Sequence, residues 1–338
     1  MTVVVLPTDS PVALADAVAT AGHHLRAGQL VAFPTETVYG LGAHALDSAA
    51  IARLYAAKGR PPHNPVIVHV ADVAAARELS RDWPEAAARL AEAHWPGPLT
   101  LVVRKRAEVP AAVTAGLDRV AIRIPDHPVA LALLRAAAVP VAAPSANRSG
   151  GVSPTTAAHV VDSLGDRVDL VLDGGPTAVG IESTVVDVTT DPPTLLRPGM
   201  LSSEAVAGTL GVVPRVPGAV GEEDARPSPG MLARHYAPEA QVRLVRSGAA
   251  AMRDALREVA APGVRVGAVT WSLEVPGGAA TGLRLPEDPA GYARELYAAL
   301  HRLDGAADIL LVELPPEGAA WDAIHDRLHR ASTPPEGA

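Results

Sequence analysis

Several short stretches carry more polar chemistry than a loop requires. Pro34-Thr35-Glu36-Thr37-Val38-Tyr39-Gly40-Leu41-Gly42 packs two hydroxyls, a carboxylate, a phenol and two glycines into one turn after a strand. A capped tight turn explains Gly and Thr but not the whole set. Lys58-Gly59-Arg60, followed by Asn64 and Pro65, closes a helix pattern. An ammonium and a guanidinium can share a polyphosphate while Gly lets the backbone approach. Cations that complement a helix C-terminus are the plainer alternative. Lysine occurs only at Lys58 and Lys105 in an arginine-rich chain, so a lysine inside such a motif hints at a need for a compact ammonium. His69 falls on the next strand, where a lone histidine is more often core. Arg123 stands in the run Arg123-Ile124-Pro125-Asp126-His127. Pro144-Ser145-Ala146-Asn147 opens a hydroxyl- and glycine-rich run to Ser153. Ser153 reads as a helix cap with Pro154 at the first position, a ready anion site. Glu182-Ser183-Thr184 and Leu196-Arg197-Pro198-Gly199 complete the series. Every piece lies at a strand end, where open α/β sheets hold ligands.

Other chemistries are excluded. There is no cysteine, hence no disulfide, thiolate metal site or cysteine nucleophile. The P-loop, H-E-x-x-H and G-x-S-x-G patterns do not occur. Gly40, Gly42 and Ala45 match G-x-G-x-x-A, but the preceding strand ends near Phe33, too early for a dinucleotide turn. No histidine cluster has metal-ligand spacing, so no protein metal site is expected. Ser145 as a hydrolytic nucleophile lacks a base and an orienting partner in the pattern. The net charge is -8 and only ten residues are aromatic, which argues against a nucleic-acid platform. Any phosphate site must be a local cluster. The N-terminus lacks a signal-peptide pattern and no apolar run spans a bilayer, so a cytoplasmic protein without membrane attachment is expected.

The elements that must position these residues alternate. Strands are predicted at 3–6, 30–33, 66–70, 99–104, 120–124, 141–143, 168–172, 184–188 and 194–196. Helices are predicted at 11–27, from the cap Asp47 through 57, in two Ala-rich pieces before 94, at 128–138, and from Ser153 to Gly165. This is an α/β layer pattern. The stretch 214–238 is rich in Pro, Gly and charge and reads as a linker. Strands at 242–245, 264–269 and 309–313 then alternate with helices near 249–259, 291–303 and 321–330. The expected division is 1–210, a linker or lid over 211–238, a small doubly wound unit over 239–331 and a disordered tail over 332–338.

Taken in order, PTETVYGLG, KGRP with NP and IVHV, WPGPLTLV, RIPDHP, APSANRSGGVSPT, ESTVVD and LRPG resemble the YrdC/Sua5 family, and SPGMLARHYAP with the extra domain resembles its longer Sua5 branch. The resemblance implies a twisted open mixed sheet with a second, smaller Rossmann-like α/β domain. It also implies synthesis of L-threonylcarbamoyl-adenylate from L-threonine, bicarbonate and ATP, with Mg2+ accompanying ATP. The product would pass to a separate tRNA threonylcarbamoyl transferase, with no stable nucleic-acid binding by this chain. Thr37 or Thr35, with His69, Arg123, Ala143 and Ser183, would hold L-threonine. Lys58, Arg60, Asn64, Ser145, Ser153 and Arg197 would hold ATP, with Lys58 and Arg60 also catalytic. His235 or Tyr236 would reach the nucleotide from the linker, read as a lid. Where the family often carries a hydroxyl residue before the V-x-x-R strand, this chain has Arg119.

Overall fold

The apolar runs of the first two hundred residues pair side by side. In the computed structural model, which describes residues 3–217, 228 and 234–332, they form one mixed sheet of ten strands. The strands are β1 (Val4–Pro7), β2 (Val31–Phe33), β3 (Gly40–His44), β4 (Ile67–His69), β5 (Leu99–Arg104), β6 (Arg119–Arg123), β7 (Val141–Ala142), β8 (Leu170–Asp173), β9 (Thr184–Asp187) and β10 (Thr194–Arg197). Their spatial order is β1-β8-β2-β3-β7-β4-β6-β5-β9-β10. The accompanying helices are α1 (Pro11–Arg26), α2 (Ser48–Lys58), α3 (Val73–Leu79), α4 (Glu85–His94), α5 (Pro128–Ala137), α6 (Ala157–Leu164) and α7 (Ser203–Leu210).

The period of two along each strand divides the faces. Leu41, Val68, Ile122 and Ala142 pack against α2, α3, α4 and α6 on one face. Ile67, His69, Arg123 and Ala143 alternate with them and point the other way. On that second face α1 and α5 pack over Val31, Phe33 and Val141. Ile67 and Ala143 stand at the edge of this cover and form part of a cavity floor.

The second unit has four strands, β11 (Gln241–Val245), β12 (Val266–Thr270), β13 (Thr281–Arg284) and β14 (Ile309–Glu313), all parallel in the order β11-β14-β12-β13. α8 (Ala249–Val259) packs on one face with Val245, Val266 and Leu311. α9 (Pro289–Leu303) and α10 (Asp322–Ser332) pack on the other. α9 also packs against Val38, Val152 and Ile181 of the first unit, in one continuous apolar cluster. Residues 218–227 and 229–233 of the linker, and 333–338 of the tail expected to be disordered, lie outside the described residues; Ser332 ends α10.

Three of these strands and α-helices were not read from the sequence. β3 contains Gly40 and Gly42, poor strand formers, but a Cβ at Gly42 would come within 3.0 Å of Phe33 and Val141, so close packing favours Gly there. Gly40–His44 is therefore an antiparallel partner of β2 and not a phosphate-binding turn. α7 is short and rich in small residues, and β13 is half-exposed at an edge. One expectation is corrected: Ser153 does not cap a helix. Pro154 O accepts from Tyr39 N at 2.9 Å and Ser153 Oγ donates to Glu182, which holds this stretch out of helical conformation. Thr156 caps α6 instead, accepting from His159 N.

Gly180 marks the tightest point between the two units. Its φ is +85°, and a Cβ there would stand 2.4 Å from Ala293 O on α9. Gly180→Ala should destabilise the chain by about 1–3 kcal/mol through overpacking and backbone strain. Urea titration checks this, and stability equal to the wild type would refute the tight seam.

Candidate active site

Strand ends and the loops beyond them line a small, partly open cavity of about 50 Å³. Thr35, Thr37, Arg60, His69, Arg123, Ala143, Ser145, Ser183, Arg197, His235 and Tyr236 all line it, so eleven of the fourteen residues singled out from the sequence meet at one place. Lys58, Asn64 and Ser153 stand behind that lining.

The turn after β2 is built by hydroxyls. Thr35 Oγ1 donates to Val38 O at 2.6 Å, accepts from Thr37 N at 3.2 Å and lies 2.9 Å from Thr37 Oγ1. Thr37 Oγ1 accepts from Arg123 Nη1 at 2.8 Å. Arg123, at the end of β6, also donates through Nε to Gly97 O at 3.2 Å. Its Nη2 stands 2.6 Å from Glu36 Oε1, yet neither atom meets hydrogen-bond geometry with the other. The charges are paired while a donor direction remains unmet, which suits a guanidinium that takes a carboxylate. His69, one strand over at the same level, is buried, and its Nδ1 has no hydrogen-bond partner among the described residues. Burial first, then the nearby Arg123, pushes its pKa down to about 3, so the imidazole is neutral at pH 7.

Arg60 and Asn64 form a compact knot. Arg60 donates to Asn64 O at 2.9 Å, Asn64 Oδ1 at 2.7 Å and Pro65 O at 2.6 Å. Burial pushes the guanidinium down to about 10, still protonated at neutral pH. The Lys58 ammonium donates twice to the neighbouring loop, to Ser145 O at 2.6 Å and Asn147 O at 2.5 Å. Lys58 O accepts from Ser149 N, a second tie between the same segments. Lys58 thereby ties the end of α2 to the Ser145 loop. Gly59, at φ +61°, ends α2 in the left-handed conformation and turns the chain toward Arg60.

Ser183 sits between a strand neighbour and a cation. Its Oγ lies 2.8 Å from Thr100 Oγ1 and accepts from Arg197 Nη2 at 3.1 Å, and its carbonyl accepts from Arg197 Nε at 3.0 Å. Ser153 donates to Glu182 Oε1 at 2.5 Å, so its hydroxyl reaches the cavity only through that carboxylate. His235 and Tyr236 enter from the connecting segment. Tyr236 is fully buried with φ +60°, and its hydroxyl has no hydrogen-bond partner among the described residues. Burial, then Arg60 and Lys58, hold the His235 pKa well below its ordinary value. Arg119 lies at the opposite end of β6 from Arg123 and pairs with Asp187 at 2.6 Å, outside the cavity lining.

Sequence reasoning missed Tyr297 and Arg327, which hold Glu182 from α9 and α10 at 2.9 Å each. A signal existed for one of them. Arg327 falls on the buried stripe Ile324, Leu328 and Ala331, where an arginine is out of pattern.

The cavity is thus a cationic site lined by buried residues, with a neutral imidazole and several hydroxyls, a form suited to a polar acid and a polyphosphate together. Residues 23–199 match the family Sua5_yciO_yrdC, described as "Telomere recombination", and residues 199–333 match Sua5_C, "Threonylcarbamoyl-AMP synthase, C-terminal domain". The chain belongs to the Sua5/YrdC family, in its long form with the Sua5 C-terminal domain. It is 42% identical over 315 residues to the threonylcarbamoyl-AMP synthase of Pyrococcus abyssi, covering 91% of this chain and 92% of that one. It is 40% identical over 325 residues to the threonylcarbamoyl-AMP synthase of Bacillus subtilis, covering 93% and 92%. The crystal structure of P. abyssi Sua5 complexed with L-threonine superposes with a TM-score of 0.90 at 40% identity, over 98% of both chains.

The depressed His69 pKa has a thermodynamic consequence. The unfolded chain binds a proton at this site below about pH 6.5, whereas the folded chain does not until about pH 3. The neutral imidazole therefore contributes stability that is fully present above pH 6.5 and is lost as pH falls from there toward 3. His69→Gln should flatten the stability-versus-pH curve in this window by up to about 1.4 kcal/mol per pH unit. Urea midpoints at several pH values read the slope; parallel curves would contradict the assignment.

Proposed function

We propose that this chain is a threonylcarbamoyl-AMP synthase that joins L-threonine, bicarbonate or CO2, and MgATP, and releases pyrophosphate. The observation that carries the reading is the meeting of Thr37, His69, Arg123 and Ser183 with Arg60 and Arg197 in one cavity, in a chain aligned nearly end to end with threonylcarbamoyl-AMP synthases. Arg123 would clamp the threonine carboxylate with its planar fork. Thr37, His69 and Ser183 would face the hydroxyl and amine. Arg60 and Arg197, with Asn64 and Ser145, would take the phosphates and ribose, and His235 and Tyr236 would close over the nucleotide.

Two steps follow. The threonine ammonium gives up a proton to solvent, and the free amine adds to CO2 with loss of a second proton, or to bicarbonate with loss of water, giving a carbamate. A carbamate oxygen then attacks the α-phosphorus of ATP and the bond to pyrophosphate breaks. Such a transfer needs alignment and charge stabilisation more than covalent help. Mg2+ enters as part of the ATP substrate, held by phosphate oxygens and water. Of the two carboxylates beside the cavity, Glu182 is held by Arg327, Tyr297 and Ser153, and Glu36 is ion-paired with Arg123. Carbamates decompose in water, which gives value to a site lined by buried residues, His235 and Tyr236 among them. The product would pass to a separate cytoplasmic transferase that modifies tRNA. The net charge of -8 suits a chain that does not itself hold the tRNA.

Amino-acid selectivity tests the reading. Valine replaces the threonine hydroxyl by a methyl and would leave buried polar groups unpaired. Threonine-dependent pyrophosphate release should exceed valine-dependent release by at least about a hundredfold in kcat/KM. Equal rates would remove the reason for the pocket. Separately, Arg60→Ala should lower kcat/KM for ATP by about 10²–10³-fold. A folded variant with the wild-type value would remove Arg60 from the phosphate site.

A further inference from the structure

The cavity belongs to the first unit, yet its rim is held by the second. Arg327 on α10 has a completely buried side chain. Its Nε donates to Glu182 Oε2 at 2.9 Å, and its Nη2 donates to Pro198 O at 3.0 Å and reaches Glu182 O at 3.4 Å. Tyr297 on α9 donates its hydroxyl to the same Glu182 Oε2 at 2.9 Å. The Arg327 guanidinium also lies over the Tyr236 ring, 5.2 Å from its centroid, and Tyr236 stacks on Tyr297 at 5.7 Å. One guanidinium therefore touches the residue before Ser183, the residue after Arg197, and Tyr236 itself.

Docking alone does not call for this arrangement. Val38, Val152 and Ile181 against Tyr292 and Leu296 already give the two units an apolar seam. A buried ion pair loses hydration on both sides and is weak support for stability, so its value here is geometric. Burial by itself would raise the Glu182 pKa, but Arg327 and Arg197, with the Ser153 hydroxyl, hold it below the ordinary value. The carboxylate is thus ionised and fixed on both oxygens.

We propose that Arg327 is a positioning residue through which the second unit sets both halves of the active site: Ser183, by way of Glu182, and Arg197 with Tyr236, by way of Pro198 and the ring contact. This rests on the synthase reading above. The coupling explains why an appended unit sends a charged side chain, and not only apolar cover, into the seam. It makes α10 part of the apparatus for aligning threonine with ATP, though Arg327 touches neither.

The test uses the full-length chain and four variants: Arg327→Lys, Arg327→Met, Glu182→Gln and the double variant Arg327→Met/Glu182→Gln. Arg327→Met alone strands a buried carboxylate and can unfold; Arg327→Lys keeps the charge without the fork, and the double variant removes both charges. Near-ultraviolet circular dichroism identifies the folded variants. In those, kcat/KM should fall by about 50-fold or more for L-threonine and for ATP alike, because both halves are displaced. The losses in Arg327→Met and Glu182→Gln should not multiply: the double variant should stay within about threefold of the worse single variant. A folded Arg327→Lys or double variant within twofold of wild type overturns the proposal, as does full multiplication of the single losses. If the wild type makes no threonylcarbamoyl-AMP, the synthase reading falls instead. L-Threonine binding by calorimetry then reads the positioning claim directly: weakened affinity in Arg327→Lys and the double variant upholds it, and unchanged affinity overturns it.

Discussion

The structure turns on the burial of four cations around one cavity. Lys58, Arg60, Arg123 and Arg197 are each no more than 8% exposed. Taking a single charge out of water costs several kcal/mol even after relaxation, so about four of them cannot be buried without replacement contacts. Carbonyls supply most of these. Lys58 takes Ser145 and Asn147, Arg60 takes Asn64 and Pro65, Arg123 takes Gly97, and Arg197 takes Ser183. Each loop that offers a carbonyl is thereby fixed, and each fixed loop becomes a wall of the cavity. The carboxylates engaged here, Glu36 and Glu182, leave the cation charge only partly balanced. An anionic substrate completes the balance, and the energy it releases is available for alignment.

The same burial keeps the site's bases neutral. His69 sits beside Arg123, and His235 among Arg60, Lys58 and Arg197, so protonating either imidazole would add charge where charge is already in excess. A neutral imidazole can accept from a substrate hydroxyl or ammonium. An imidazolium at the same place could only donate. The pocket's electrostatics and its hydrogen-bonding sense are therefore one property, imposed by the spacing of cations along the strand ends.

Much of this was legible before any coordinates. The period of two in Ile67-Val68-His69 and Ala121-Ile122-Arg123 puts the polar residues on one face, and Asp47 announces the start of α2 by its side chain. What stayed hidden depends on distant partners. Ser153 followed by Pro154 has the form of a helix start, but Glu182, twenty-nine residues on, claims the hydroxyl. Lys58 reads as a phosphate ligand by type, but its two bonds to a loop 87 and 89 residues away leave no local trace. Gly40 and Gly42 argue against a strand locally, and only the side chains that close on them, Phe33 with Ala143 and Val141, explain β3. The long-range hold of Arg327 on Glu182 spans 145 residues and leaves only a faint trace, a charge on an apolar stripe.

The central claim is that the cationic cavity joins a threonine carbamate to the α-phosphate of ATP. Mass spectrometry of a reaction containing L-threonine, MgATP and carbon-13 bicarbonate addresses it directly. The account predicts a threonylcarbamoyl-AMP ion heavier by one carbon-13, formed with pyrophosphate and only when all three substrates are present. An enzyme that cleaves ATP without a threonine-dependent adenylate, or that forms an adenylate without the label, would contradict it.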